Sequence, residues 1–220
     1  LLSLIKQKGI FMDVNEAIER RRSVRQFRPD RIPLEDIKEL VRLAGLAPSI
    51  NNAQLWKFVA ILNQEVIDEM SNIVNRKISG LLNNGAEKKG EKIKTTVAHF
   101  STVFTDAPAV IAVQMKPYDA VVDPILESSG LSHDEMNKMR NYPDVQSIGA
   151  AIENIMLAAT GMGYGCCWLT GLLVAREELE PLLGIKAPYR LAACIAVGKP
   201  LESLPAREKL PLESIFEVIE

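Results

Sequence analysis

The chain has 220 residues, a formal net charge of −2, 47% apolar residues and 25% charged residues. That length supports one domain with a substantial core or two small ones, and the balanced composition is that of a globular protein. The near-neutral charge gives no bulk attraction to nucleic acid or to an anionic membrane surface, and no apolar run reaches the roughly 20 residues that a bilayer requires.

The opening residues mix leucines with Lys6 and Lys8 and show no small-residue cleavage site, so no signal peptide is expected. Residues 1–12 read as an extension, because Asp13 followed by Glu16 has the form of a helix N-cap with a carboxylate at the third helical position. A short helix then runs through Ala17 and Ile18 into an arginine cluster. Pro33 opens a second helix, where Ile37, Leu40, Val41 and Ala44 recur at helical spacing, and Gly45 and Pro48 end it.

Residues 56–62 (WKFVAIL) and 109–115 (AVIAVQM) read as buried strands. Between them lies a polar stretch, rich in lysine near residue 90, that is either a mobile helical lid or a solvated insertion. Residues 117–144 read as irregular and polar. Val145, Ile148, Ile152, Ile155, Met156 and Ala159 then mark a long amphipathic helix, stopped by glycines at 161, 163 and 165. Two further strands are expected at 166–169 and 191–197, with a short helix at 176–183 between them.

Helices and strands are intermixed without regular alternation, which predicts an α+β domain, and no linker or internal repeat divides residues 13–220. Cys166, Cys167 and Cys194 are odd in number and two are adjacent. They suggest small core residues in a reducing, cytoplasmic compartment rather than a disulfide framework. With His99 and His133 as the only histidines, no Cys/His metal spacing can be built, and no metal is expected.

Four segments are candidates for chemistry. In the first, RRRSVRQF, an extended chain after Arg21 would put Arg21, Ser23 and Arg25 on one side. Two guanidinium forks and a hydroxyl suit a phosphate, although arginines at this position also complement the negative end of a helix dipole. In the second, APSINNAQLW, the side-chain amides of Asn52 and Gln54 match the alternating donors and acceptors of a heterocycle edge. Asn residues in a helix-terminal loop can equally serve its turn conformations.

In the third segment, GMGYGCCWLTG, the glycines follow a helix and precede a strand, the reverse of a dinucleotide-binding turn. Thr170 and Gly171 are where the backbone can come close to something planar. In the fourth, the tail, Arg207 and Lys209 either return positive charge to a phosphate or are simply solvated.

Together and in this order, RRSVRQF, APSINNAQLWKF, AAIENIMLAATGMGYGCCW and VGKP…REKLPLES resemble the FMN-dependent nitroreductases, from about Asp13 to the C-terminus. The resemblance implies a nitroreductase-like α+β fold: a central, mostly antiparallel sheet flanked by helices, in an intertwined homodimer. It implies that Arg21, Ser23 and Arg25 hold the FMN phosphate, with Arg22 near the pyrimidine and ribityl side and Arg207 and Lys209 adding charge. Pro48, Ser49 and Asn52 would reach the flavin from the partner subunit, Gln54 lies in the same motif, and Thr170 and Gly171 lie beside the isoalloxazine. Leu55 stands where the motif usually has proline.

The implied activity is reduction of FMN by NADH or NADPH, followed by reduction of a small organic acceptor (a nitroaromatic, quinone or enone) in a ping-pong cycle. The cofactor carries the chemistry, so no catalytic side chain is required. The alternatives are a flavin-binding storage or sensor protein, or other flavin chemistry such as dehalogenation or flavin cleavage.

Overall fold

In the computed structural model, strand β2 (Ala109–Met115) is buried at every position. It lies inside a four-stranded sheet with β1 (Trp56–Ile61), β3 (Gly165–Leu169) and β4 (Arg190–Gly198). The structure describes residues 12–83, 89–128 and 130–220, and the side chains among them other than those of 82–92 and 94. Residues 1–11 of the expected extension lie outside the described residues.

The strand order is β1-β2-β4-β3, and each of these neighbours is antiparallel. Successive side chains alternate between the two faces of the sheet, and both faces are apolar. Ile111, Val113, Ile195 and Val197 point to one side, where α2 (Leu34–Ala44) contributes Ile37 and Leu40 and α7 (Pro143–Gly161) contributes Ile148, Ile152 and Ile155. Val110, Ala112, Cys194 and Ala196 point to the other side, against Ile67, Met70 and Val74 of α3 (Gln64–Asn83) and Leu179 of α8 (Arg176–Leu182). Each valine, leucine, isoleucine or methionine among them, fully buried, contributes about 1.5–3 kcal/mol of transfer free energy, the alanines less. The α+β arrangement of an antiparallel sheet between helices is therefore the one the sequence predicts.

Two expectations change. The polar stretch after β1 is neither lid nor insertion along its first part: α3 places Ile67, Met70, Val74 and Ile78 in the core, all at most 2% exposed. Their spacing of three and four was present in the sequence, but the neighbouring charges masked it. Helix α4 (Lys89–Ser101) follows.

Residues 117–144 are likewise more regular than expected, with α5 (Asp123–Glu127), α6 (His133–Met139) and the first turn of α7. Ser132 and Glu135 form a reciprocal capping box that starts α6. Helix α1 (Val14–Arg20) begins as predicted, with the Asp13 side chain accepting from the Glu16 N–H at 2.9 Å. No described helix is long and apolar enough to cross a membrane.

Candidate functional site

The arginine cluster is held in place by backbone. After α1 the chain runs extended beside the start of β3, with Ser23 bridged in parallel to Cys166 and the Val24 N–H donating to the Cys166 carbonyl at 2.9 Å. It then passes the exit of β4, where Arg28 N–H donates to Lys199 O at 2.9 Å and Leu201 N–H to Gln26 O at 3.0 Å. Val24 and Phe27 are buried on this path. Two glycines make the close approach possible. A Cβ on Gly165 would overlap the Val24 side chain, and one on Gly198 would lie 2.7 Å from the Phe27 ring and from Pro108. Those contacts are too short for any side chain.

With Val24 turned inward, Arg21, Arg22, Ser23 and Arg25 line a cavity of about 460 Å³, closed on its other sides by His99 of α4 and by Glu202, Leu204, Pro205, Arg207 and Lys209 of the tail. Five basic side chains thus face one acidic wall residue, Glu202. Arg21 also has Glu153 of α7 at 3.6 Å, and Arg25 lies 5.8 Å from the Phe100 ring centroid. Arg22 is already committed: it donates to the carbonyls of Glu19 at 2.5 Å, Arg21 at 2.8 Å and Pro205 at 3.3 Å. These bonds cap carbonyls at the end of α1 and fasten the tail to it. A dense set of guanidinium and ammonium groups with one hydroxyl has the chemistry of a site for a phosphate dianion.

The other predicted residues do not line this cavity. Pro48, Ser49, Asn52 and Gln54 sit on the loop between α2 and β1. Asn51, Asn52 and Gln54 there adopt positive φ of 49°, 53° and 46°. Such conformations cost on the order of 1–3 kcal/mol for a residue other than glycine, less for asparagine, and cluster where function requires them. Gln54 N–H donates to Ser49 Oγ at 3.0 Å, and Gln54 Nε2 to Asn52 Oδ1 at 3.3 Å. Ile50 N–H donates to Ser147 Oγ at 3.1 Å, and Asn51 Nδ2 to the Tyr118 hydroxyl at 2.6 Å. Leu55, in place of the usual proline, is 2% exposed.

Thr170 and Gly171 are exposed at the end of β3, where a short 3-10 turn begins. A Cβ on Gly171 would meet Ser101 Oγ at 2.8 Å, so the backbone lies directly against the end of α4. The last turn of α4 therefore borders both the basic cavity, through His99, and the Thr170–Gly171 turn, through Ser101. The sequence reading missed His99, Glu202, Leu204 and Pro205; no local pattern marks them, because only tertiary folding brings α4 and the tail to the arginines.

The cysteines take no part. All three are free and buried, and burial pushes the Cys166 and Cys194 thiols up to about 12. Among the described residues no group of three or more His, Cys, Asp or Glu could hold a metal ion.

Residues 18–199 match the nitroreductase family. Among solved structures, a BluB-like flavoprotein from Clostridium difficile is 32% identical, covers 95% of this chain and 100% of its own, and superposes with a TM-score of 0.87. A nitroreductase with bound FMN from Bacteroides fragilis is 21% identical, with the same 95% and 100% coverage and a TM-score of 0.70. Among curated proteins, the 5,6-dimethylbenzimidazole synthase of Rhodospirillum rubrum is 28% identical over 192 residues, 86% of this chain and 82% of that protein.

Proposed function

This chain belongs to the nitroreductase family, and from that premise we propose that it is an FMN-binding oxidoreductase whose flavin chemistry is of the BluB-like kind, with the flavin itself as a reactant. The observation that carries this reading is the likeness to the BluB-like flavoprotein. At the same coverage, its TM-score is 0.87 against 0.70 for the FMN-bound nitroreductase. A higher score at equal coverage means a closer superposition of the backbone as a whole, and the segments around a shared scaffold are what shape an enzyme's pocket. The similarity to a 5,6-dimethylbenzimidazole synthase points the same way. The dimethylbenzene ring of that product is also part of the isoalloxazine of FMN.

The residues of the basic cavity fit the terminal phosphate of FMN. A phosphate monoester leaving water needs nearly two charges neutralised and several donors supplied. Arg21, Arg25, Arg207 and Lys209 supply the charge, Ser23 adds a hydroxyl, and Arg22 holds the tail in place so that Arg207 and Lys209 stay at the cavity. The exposed Thr170–Gly171 turn offers backbone donors to the ring. When bound, FMN supplies two-electron chemistry, NADH or NADPH being the proposed donor, together with the reactivity of a reduced flavin toward oxygen or another small acceptor.

The active unit in this proposal is a homodimer. Pro48, Ser49, Asn52 and Gln54 lie away from the phosphate cavity of their own chain, which suits residues that serve the site of a second copy. The tail supports this: every residue of 202–220 is exposed, including Leu210, Leu212, Ile215, Phe216 and Ile219. A run of exposed large apolar side chains is the surface expected to be covered on association.

The test is to load the protein with FMN, reduce it with NADH or NADPH, and admit oxygen. Loss of the flavin absorbance with formation of 5,6-dimethylbenzimidazole supports the BluB-like reading. Recovery of intact FMN after many turnovers of a nitroaromatic or quinone would overturn it in favour of a general NAD(P)H reductase.

A further inference from the structure

A loop with left-handed residues at 51, 52 and 54 does not hold that shape alone. Its own contacts are few: Asn52 N–H to Ser49 O at 3.0 Å, Ala53 N–H to Ile50 O at 2.9 Å, Gln54 N–H to Ser49 Oγ at 3.0 Å, and Gln54 Nε2 to Asn52 Oδ1 at 3.3 Å. Two residues from distant parts of the chain complete the set. Ser147 in the second turn of α7 accepts from Ile50 N–H at 3.1 Å, and the Tyr118 hydroxyl accepts from Asn51 Nδ2 at 2.6 Å.

Tyr118 is suited to act as a fixed post. It is 5% exposed, although it lies in the connection between β2 and α5. Its carbonyl accepts from His133 Nε2 at 2.8 Å, which ties it to the start of α6. Its ring lies 5.4 Å from the Arg140 guanidinium, and Arg140 is in turn fixed to Asp123 of α5 at 2.6 Å. The α5–α6 segment is thereby fastened to the one loop that presents Asn52 and Gln54.

We propose that Tyr118 is a positioning residue: its hydroxyl, acting through the Asn51 side chain, holds the 49–54 loop in the conformation that presents the Asn52 and Gln54 amides to the flavin, and so makes the α5–α6 segment a support of the cofactor site. The effect on FMN rests on the proposed function, whereas the effect on the loop does not. Phenylalanine keeps the ring, the Arg140 contact and the His133 bond and removes only the hydroxyl.

The test compares wild type with Tyr118→Phe by amide hydrogen exchange without flavin, and by FMN titration. Loss of this part-buried hydrogen bond should speed exchange of the Ile50, Asn52, Ala53 and Gln54 amides about tenfold and weaken FMN binding by a similar factor. Exchange along β1 should not change, which separates positioning from a general loss of stability. Unchanged exchange in the loop would overturn the proposal, as would loosening of β1 to the same extent. Loosening confined to the loop with undiminished FMN affinity would also overturn it. A faster loop in a protein that takes no FMN even as wild type supports the Tyr118 clamp and counts against the flavin reading instead.

Discussion

Ser23 lies in register beside Cys166, and the next residue, Val24, closes a 2.9 Å backbone hydrogen bond onto the Cys166 carbonyl. This short parallel pairing lets the segment present Ser23 and Arg25 to the cavity while burying Val24, and it exists because Gly165 leaves room for the Val24 side chain.

Gly165→Ala should therefore disturb the site as well as the fold. The added methyl overlaps Val24, and forcing an atom into a packed contact costs about 1–3 kcal/mol. The expected result is a lower melting temperature together with weaker FMN binding, whereas Gly161→Ala, with open space around it, should change neither. Thermal denaturation and flavin titration of both variants check this.

Arg140 and Asp123 form a part-buried ion pair, in which the Arg140 guanidinium holds the Asp123 carboxyl below the usual carboxylate range. A depressed carboxylate contributes stability above its unfolded pKa, about 3.9, and that contribution is lost as pH falls through the lower folded value. Removing a hydrogen-bonded partner from a charged group costs about 1.5–3 kcal/mol. Arg140→Met should lower the melting temperature most near neutral pH, and the gap to wild type should shrink below about pH 4. A gap that stays constant from pH 7 to pH 3 would contradict the assignment.

The buried thiols should be inert in the native protein. With Cys166 and Cys194 pushed up to about 12, almost no thiolate exists at pH 8. A thiol-exchange reagent should label none of the three on a timescale of minutes, and all of them in denaturant. Rapid native labelling would show that one of them is exposed by motion.

Truncation after Lys209 keeps both basic tail residues but removes Leu210, Leu212, Ile215, Phe216 and Ile219 from an exposed surface. In the proposed homodimer this should shift the protein toward monomer in light scattering and weaken FMN binding. A truncated chain with undiminished dimerisation and FMN affinity would place the interface elsewhere.

Much of this was legible in the sequence, for identifiable reasons. The buried strands at 109–115 and 191–197 were readable as apolar runs bounded by breakers, and α7 by its period, because burial on one sheet or one face leaves a direct pattern. The core stripe of α3 was obscured because Ile67, Met70, Val74 and Ile78 alternate with charged residues that face outward. The Arg21, Ser23 and Arg25 grouping followed from the period of an extended chain. His99 and the Tyr118 clamp did not follow, since both depend on contacts between residues far apart in sequence, His99 with the arginines and Tyr118 with Asn51.

The central claim is that the basic cavity holds the phosphate of FMN, and the most direct measurement is titration of FMN into flavin-free wild type and into the Arg21→Ala/Arg25→Ala double variant. Each charge-assisted hydrogen bond to phosphate contributes about 1.5–3 kcal/mol. The account predicts a flavin complex for wild type and an affinity lower by about 100-fold or more for the variant, with unchanged circular dichroism. Equal affinity in the two proteins, or no FMN binding by wild type, would contradict it.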